Sequence, residues 1–158
     1  MGLSQLRSRL AEHERSARLW EERAAGLAGE VSALSGQLAH KREQLAKAEA
    51  VNGGCATVVS RVSQVEDDLR QLGANLGRAI GEDVSAGVGG IASGDAALAD
   101  AAKSSCEELV RSLRQEVAAL GGSLSCAQDS LAAAQASAAA ARSSASSVRT
   151  SIRNYSED

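Results

Sequence analysis

Residues 3–50 read LSQLRSRLAEHERSARLWEERAAGLAGEVSALSGQLAHKREQLAKAEA, and in this stretch an apolar residue recurs at alternating steps of three and four. Only His13 and Lys41 interrupt this heptad repeat. Such spacing places the apolar side chains on one narrow stripe of an α-helix, which must lie against another helix to leave water. This stripe, the seam, comprises Leu3, Leu6, Leu10, His13, Ala17, Trp20, Ala24, Leu27, Val31, Leu34, Leu38, Lys41, Leu45 and Ala48.

The composition favours long helices over a compact globular core. The 158 residues include no proline and no phenylalanine, with one tryptophan and one tyrosine. Proline is the strongest helix breaker, and so few aromatic side chains leave too little bulk for an ordinary globular core. We therefore expect an all-α protein, an elongated antiparallel helical hairpin or coiled coil with a Gly-rich break near the middle, forming one domain over residues 1–158.

A pair of glycines interrupts the repeat after the helix expected at 3–50. Gly53 and Gly54 lie in residues 51–54, where the chain either reverses or bends within one long helix. The seam keeps its heptad phase across the pair, which favours a kinked continuation over a reversal. A second helix is expected at 55–80. Its expected seam comprises Cys55, Val58, Val62, Val65, Leu69, Leu72, Leu76 and Ala79.

The clearest break is glycine-rich and lies at the middle of the chain. Residues 81–94 include Gly87, Gly89 and Gly90, and each glycine inside a helix costs about 1 kcal/mol relative to alanine. We therefore expect a turn there that joins two amphipathic halves into a hairpin. A helix is expected over 95–152, with a stutter where two four-residue steps adjoin. Its expected seam comprises Ala102, Cys106, Leu109, Leu113, Val117, Leu120, Leu124, Ala127, Leu131, Ala134, Ala138, Ala141, Ala145, Val148 and Ile152.

The first seam carries the largest apolar side chains, and we expect a partner helix to bind there. Beyond Leu131 the seam of the other half is almost entirely alanine, so it covers little of that area. Trp20 is the expected anchor because tryptophan is enriched among residues that dominate binding energy, although a core role within the hairpin is the alternative. The predicted partner-binding residues are Trp20, Leu27, Leu34 and Leu38.

Several classes of function find no support in the sequence. The net charge is −3 and the charges are mixed, so nucleic acid, which requires clustered Lys and Arg, is not an expected partner. No apolar run is long enough for a membrane span, and no cleavable signal peptide opens the chain. No catalytic constellation, phosphate loop or metal-ligand spacing occurs. We therefore expect neither an enzyme nor a bound cofactor or metal.

The cysteines bear on the cellular compartment. Cys55, Cys106 and Cys126 are an odd number of thiols, which favours free thiols in a reducing compartment. Cys55 and Cys106 fall on expected seam positions, where a thiol acts as a small apolar group. We expect a cytoplasmic protein, with export that does not use a cleavable signal peptide as an open alternative.

The middle and the end of the chain carry a family resemblance. The expected turn holds Val88-Gly89-Gly90, and the chain ends in Tyr155-Ser156-Glu157-Asp158. With two long amphipathic halves, this layout resembles the WXG/LXG helical-hairpin proteins of bacterial type VII secretion, in particular the small accessory or targeting proteins that pair with LXG-domain toxins. Their simplest members have Trp-x-Gly in the turn and an aromatic residue followed four residues later by an acid, and this chain departs from both motifs.

Two classes of function follow. The resemblance implies an accessory protein or chaperone, whose hairpin pairs with the N-terminal helical domain of a type VII-secreted toxin. The alternative is a self-assembling coiled-coil scaffold or spacer. Both act by helix–helix packing, and they differ in whether the partner is a different chain or a second copy.

Overall fold

The computed structural model shows two α-helices that pack against each other in antiparallel fashion. It describes residues 2–81 and 85–157, and the side chains of residues 2–79, 81 and 94–155. Helix α1 spans Leu3–Ile80 and helix α2 spans Ser85–Glu157. No strand occurs in the described ranges, and the predicted all-α helical hairpin is confirmed.

Each helix passes through two compact units. The terminal unit comprises Met1–Leu38 and Ala119–Asp158, and the central unit comprises Ala39–Ala118. Each unit therefore contains one segment of α1 and one segment of α2, and its core lies between those two segments.

Ion pairs between the helices show how α1 and α2 are aligned in the terminal unit. The guanidinium of Arg149 donates to Glu14, and Arg142 Nε donates to Glu21 Oε1 at 2.6 Å. A step of one heptad up α1 is thus matched by a step of one heptad down α2. Exposed pairs contribute only about 0.2–1 kcal/mol each, so they fix the register more than they stabilise the unit.

Two ion pairs of the same kind join the helices among the described residues of the central unit. Arg114 Nη2 donates to Glu49 Oε1 at 2.7 Å, and Lys41 Nζ lies 2.6 Å from Glu116 Oε2. Lys41 is one of the two polar residues that interrupt the first seam, and it reaches across to a carboxylate on α2. A polar residue at a seam position commonly sets register in paired helices at some cost in stability.

Helix α1 runs through residues 51–54 without a reversal, so the two helices expected at 3–50 and 55–80 are one. Gly53 and Gly54 are helical, and a Cβ atom added at either would meet no atom within 4 Å. The glycine pair is therefore accommodated in the helix without being required by it.

Replacing Gly53 and Gly54 by alanine is expected to stabilise the protein. Each substitution removes the entropic disadvantage of glycine in a helix and introduces no clash, so the free energy of unfolding should rise by about 0.5–1 kcal/mol per site. Urea unfolding followed by circular dichroism measures the change. Gly81→Ala is the control, because Gly81 has a φ of 71° and alanine there should destabilise. A loss of stability in the double variant would show that the glycines are required at this position.

The break between the helices is shorter than the sequence predicts. Helix α1 ends at Ile80, and the Gly81 N–H closes its last turn by donating to the Gly77 carbonyl at 2.9 Å. Gly81 has the positive φ that favours glycine at a helix C-terminus.

Helix α2 begins at Ser85, so the turn expected over 81–94 and the helix start expected at 95 are corrected. Gly87, Gly89 and Gly90 lie in the first turns of α2, whereas residues 82–84 fall outside the described residues. The glycine penalty is a weak preference that extension of an existing helix overrides.

Beyond residue 50, the seam of α1 follows a different row from the expected one. Val58, Val65 and Leu72 are 54%, 55% and 62% exposed. The buried and half-buried positions instead continue the strict heptad of the first seam, and this inward row comprises Asn52, Val59, Glu66 and Gly73. A one-residue shift turns a side chain by about 100° around the helix. The expected seam lies beside the interface because it includes Val65 and Leu72 in place of their less apolar neighbours Glu66 and Gly73.

The seam of α2 has no stutter in the described residues. Val110 is 5% exposed, whereas Leu109, which was expected on the seam, is 55% exposed. With Val110 on the seam, the steps alternate regularly between four and three. The inward positions here are Cys106, Val110, Leu113, Val117 and Leu120.

Alanine dominates the core of the terminal unit. The most enclosed side chain is that of Ala134, which is 1% exposed. Leu6 and Leu38 on α1 supply the larger buried groups. The buried apolar residues of this unit are Leu6, Ala17, Leu38, Ala127, Ala134, Ala138 and Ala145.

Candidate partner-binding surface

A row of exposed apolar side chains runs along α1 in the central unit. We call it the outer row, and it comprises Val51, Val58, Val65 and Leu72, which recur every seven residues and are 54–62% exposed. Single exposed apolar residues are common on protein surfaces, whereas a contiguous stripe of them is typical of a contact surface.

The outer row combines with seam residues to form a second heptad stripe. From Val58 to Leu76 the apolar positions alternate between steps of four and three. Val62 and Leu69 are shared between this stripe and the seam, because the stripe lies immediately beside it, whereas Leu76 is 49% exposed. The full stripe comprises Val58, Val62, Val65, Leu69, Leu72 and Leu76.

One surface groove includes part of this stripe, and a second groove includes Val51 of the outer row. The first is lined by apolar side chains of α1, with polar groups from Arg61, Glu66 and, on α2, Asp95. The apolar lining residues are Val58, Val62, Val65 and Leu69. In the second groove, Val51 of the outer row lies beside residues of α2. Its lining includes Val51, Cys106, Leu109 and Leu113.

Charged side chains border the first groove. Arg70 pairs with Glu66 through Nη2, and its Nη1 lies 3.7 Å from Asp67 Oδ1. Arg61 lines the groove from the preceding turn. An apolar strip with a polar border has the composition of a protein–protein interface, in which the charges lie at the rim.

The residues that the sequence predicts for partner binding lie in the terminal unit. Trp20, Leu27 and Leu34 are half-buried, and Leu38 is 6% exposed and belongs to the core. The Arg23 guanidinium carbon lies 5.5 Å from the Trp20 ring centroid, in a cation–π contact. Their role in binding a partner stays a prediction.

The exposed large apolar side chains are distributed unequally between the units. In the terminal unit, Leu19 and Tyr155 are the ones that the structure describes as exposed. In the central unit, the outer row, Leu76, Leu98 and Leu109 are all exposed. The sequence contains the signal for this difference, because extending the heptad from Leu45 places the outer row outside the seam.

A polar side chain interrupts the seam of the central unit. Asn52 lies on the inward row, and its Oδ1 atom is buried and has no hydrogen-bond partner among the described residues. An unpaired buried polar atom costs about 1–3 kcal/mol. Asn52 therefore lowers the stability of the helix pair. Seam asparagines in coiled coils have the same cost, and they specify register and oligomeric state.

Replacing Asn52 by leucine is expected to raise the free energy of unfolding by about 1–2 kcal/mol, because it removes an unsatisfied acceptor and fills the seam. Urea unfolding measures the change, and light scattering shows whether the oligomeric state also changes. Asn75→Leu is the matched control, since Asn75 is exposed and bonded to Arg78. Equal effects of the two substitutions would place Asn52 outside the seam.

Two of the three cysteines meet across the helix pair. Cys55 on α1 and Cys106 on α2 are half-buried free thiols, and their Sγ atoms are 3.2 Å apart. A hydrogen bond with the Cys55 thiol, and secondarily burial, raises the pKa of the Cys106 thiol. Cys126 is exposed and lies in the terminal unit.

Within the described residues, no three His, Cys, Asp or Glu side chains are grouped so that they could hold a metal ion. Neither described helix includes a segment that is long and apolar enough to span a membrane. Comparisons with protein-family models, curated proteins and solved structures found no match for this chain.

Proposed function

We propose that this chain is a non-enzymatic helical binding protein, which acts by helix–helix pairing at the outer row of the central unit. The observation that carries the proposal is the exposure of Val51, Val58, Val65 and Leu72. Their heptad spacing equals that of a coiled-coil seam, so an additional helix with its own apolar stripe can pack along them.

The shared positions support a third helix rather than an extended peptide. Val62 and Leu69 are half-buried in the seam with α2 and also belong to the second stripe. A helix that is apolar on two adjacent stripes is typical of bundles with three or more helices, in which each helix has two neighbours. The isolated hairpin leaves one of these faces in water.

The resemblance to type VII secretion proteins suggests the identity of the partner. We propose an accessory or chaperone role, in which the N-terminal helical domain of a secreted toxin supplies the additional helix. The rim carries charges of both signs, with Glu66, Asp67 and Asp95 beside Arg61 and Arg70. It therefore favours a partner whose apolar stripe is also bordered by charges of both signs.

Self-assembly into a scaffold is the second candidate, and it uses the same surface. A heptad-spaced row is self-complementary when two copies meet antiparallel about a two-fold axis. The outer row of one copy would then cover the outer row of the other.

Light scattering of the chain alone and co-purified with candidate toxin N-terminal domains separates these functions. The chaperone role requires a stable complex that contains both chains. The scaffold role requires a homo-oligomer of the 16.1 kDa chain that excludes the toxin domain. A 16.1 kDa monomer that captures no partner would contradict both functions.

Trp20→Ala tests whether partner binding instead uses the seam of the terminal unit. If Trp20 is the anchor, the substitution should weaken the complex by about 2 kcal/mol or more and leave the helix content nearly unchanged. Isothermal titration calorimetry measures the affinity, and circular dichroism measures the helix content. Unchanged binding, with reduced stability of the isolated chain, would assign Trp20 to the internal packing of the hairpin.

A further inference from the structure

Cys55 and Cys106 form a thiol pair that the proposed binding function does not use. Their Sγ atoms are 3.2 Å apart although 51 positions separate them in sequence. A disulfide bond is about 2.05 Å long, so a shift of roughly one ångström brings the sulfur atoms to bonding distance. The nearby Arg114–Glu49 ion pair holds the two helices in the register that places the thiols opposite each other.

We propose that Cys55 and Cys106 are an oxidative modification site, at which a low-molecular-weight disulfide converts the two thiols into an intrachain disulfide between α1 and α2. One cysteine thiolate attacks a sulfur of the small disulfide, forming a mixed disulfide and releasing one small thiol. The second cysteine thiolate attacks the protein sulfur of the mixed disulfide, closing the Cys55–Cys106 bond and releasing the second small thiol. The protein loses two protons and two electrons, and the small disulfide gains both.

Two features distinguish this pair from cysteines that merely fill a seam. The sulfur atoms point at each other from facing helices, where packing alone requires only small apolar groups. The pair is also accessible, because both cysteines are half-buried and Cys106 lines the surface groove that contains Val51 and Leu109. A small disulfide can therefore reach Cys106 without unfolding of the unit.

The crosslink would lie beside the proposed binding surface. Cys55 is flanked on α1 by Val51 and Val58 of the outer row, so the bond would fix α1 against α2 at that level. A disulfide chiefly removes conformational freedom from the unfolded chain. The two helix segments that it joins would therefore separate less readily, and oxidation would restrict local opening of the central unit.

The test uses the full chain with Cys126→Ser, so that the exposed third thiol cannot take part. Folded protein is incubated with oxidised glutathione, and its mass and its maleimide-reactive thiols are measured. The expected product is a monomeric chain that has lost two hydrogen atoms, has no reactive thiol and retains no glutathione. Its thermal midpoint should exceed that of the reduced protein by roughly 5–10 °C.

Cys55→Ser and Cys106→Ser, each combined with Cys126→Ser, are the matched controls. Each should stop at the mixed disulfide and gain no thermal stability. Retention of both thiols in the Cys126→Ser protein would overturn the proposal. Glutathione on both cysteines, or a disulfide between two chains, would also overturn it. None of these outcomes depends on partner binding, so the proposed function can fail while this site stands.

Discussion

Replacing Val58 and Val65 together by glutamate is expected to weaken partner binding, or self-association, at least a hundredfold while the hairpin stays folded. Both side chains are more than half exposed in the isolated chain, so their loss removes little from its core. In a complex each valine would contribute about 1.5–3 kcal/mol of burial. A buried, unpaired carboxylate adds a further penalty, so a change of about 2.7 kcal/mol, which is a hundredfold in Kd, is a conservative expectation.

Thr57→Glu with Gln64→Glu is the matched control for this experiment. These residues are exposed, have the same spacing and receive the same charge, but they lie one residue away from the outer row. Charges at the rim of an interface change affinity little. Titration calorimetry or sedimentation compares the two double variants, and circular dichroism confirms that both are folded. Equal binding by the Val58/Val65 variant and the wild-type chain would exclude the outer row as the interface.

The helical class of this protein is predictable from sequence because it depends on period alone. Fourteen residues from Leu3 to Ala48 follow the heptad with two polar interruptions. The chain also has no proline, the strongest helix breaker. Lys41 is recognisable from sequence as a polar residue at a seam position, and in the structure it pairs with Glu116 across the two helices.

The face of each helix that packs against the other helix is harder to predict from sequence than the helix itself. The sequence offers Val58 beside Val59, and Leu109 beside Val110, and hydrophobicity alone does not select between neighbours. Packing against the other helix decides which neighbour faces inward, because two paired helices keep a fixed seven-residue repeat of contact positions. That repeat turns Asn52, Glu66 and Gly73 inward. It exposes their neighbours Val51, Val65 and Leu72, so the less hydrophobic neighbour is the inward one at these three places.

The candidate surface was missed for the same reason. The expected seam at 55–80 is a real apolar stripe, but only its half at Cys55, Val62 and Leu69 also faces α2. The other half is the outer row. In the sequence these residues form one stripe. In the structure some of them face α2 and the others are exposed in the outer row.

Substituting aspartate for Ala134 is expected to lower the free energy of unfolding by about 3 kcal/mol or more. Ala134 is 1% exposed in the alanine-rich core of the terminal unit. The short aspartate side chain cannot reach water from there, and an unpaired carboxylate in an apolar contact is among the most destabilising single changes. The added volume also forces apart two helices whose close approach depends on small side chains.

Ala136→Asp is the control for this substitution, since Ala136 is exposed on the same helix. It should cost only the difference in helix propensity, about 0.7 kcal/mol. Urea unfolding at neutral pH measures both variants. Burial raises the folded-state pKa of the new carboxyl above its unfolded value of about 3.9. The charge penalty is therefore full at a pH above the raised folded-state pKa. It shrinks as the pH falls below that pKa and disappears below the unfolded-state value of about 3.9. The loss in free energy of unfolding that remains at low pH is the steric contribution of the larger side chain. Equal losses from the two substitutions, with no recovery at low pH, would mean that the alanine face of α2 is not packed against α1.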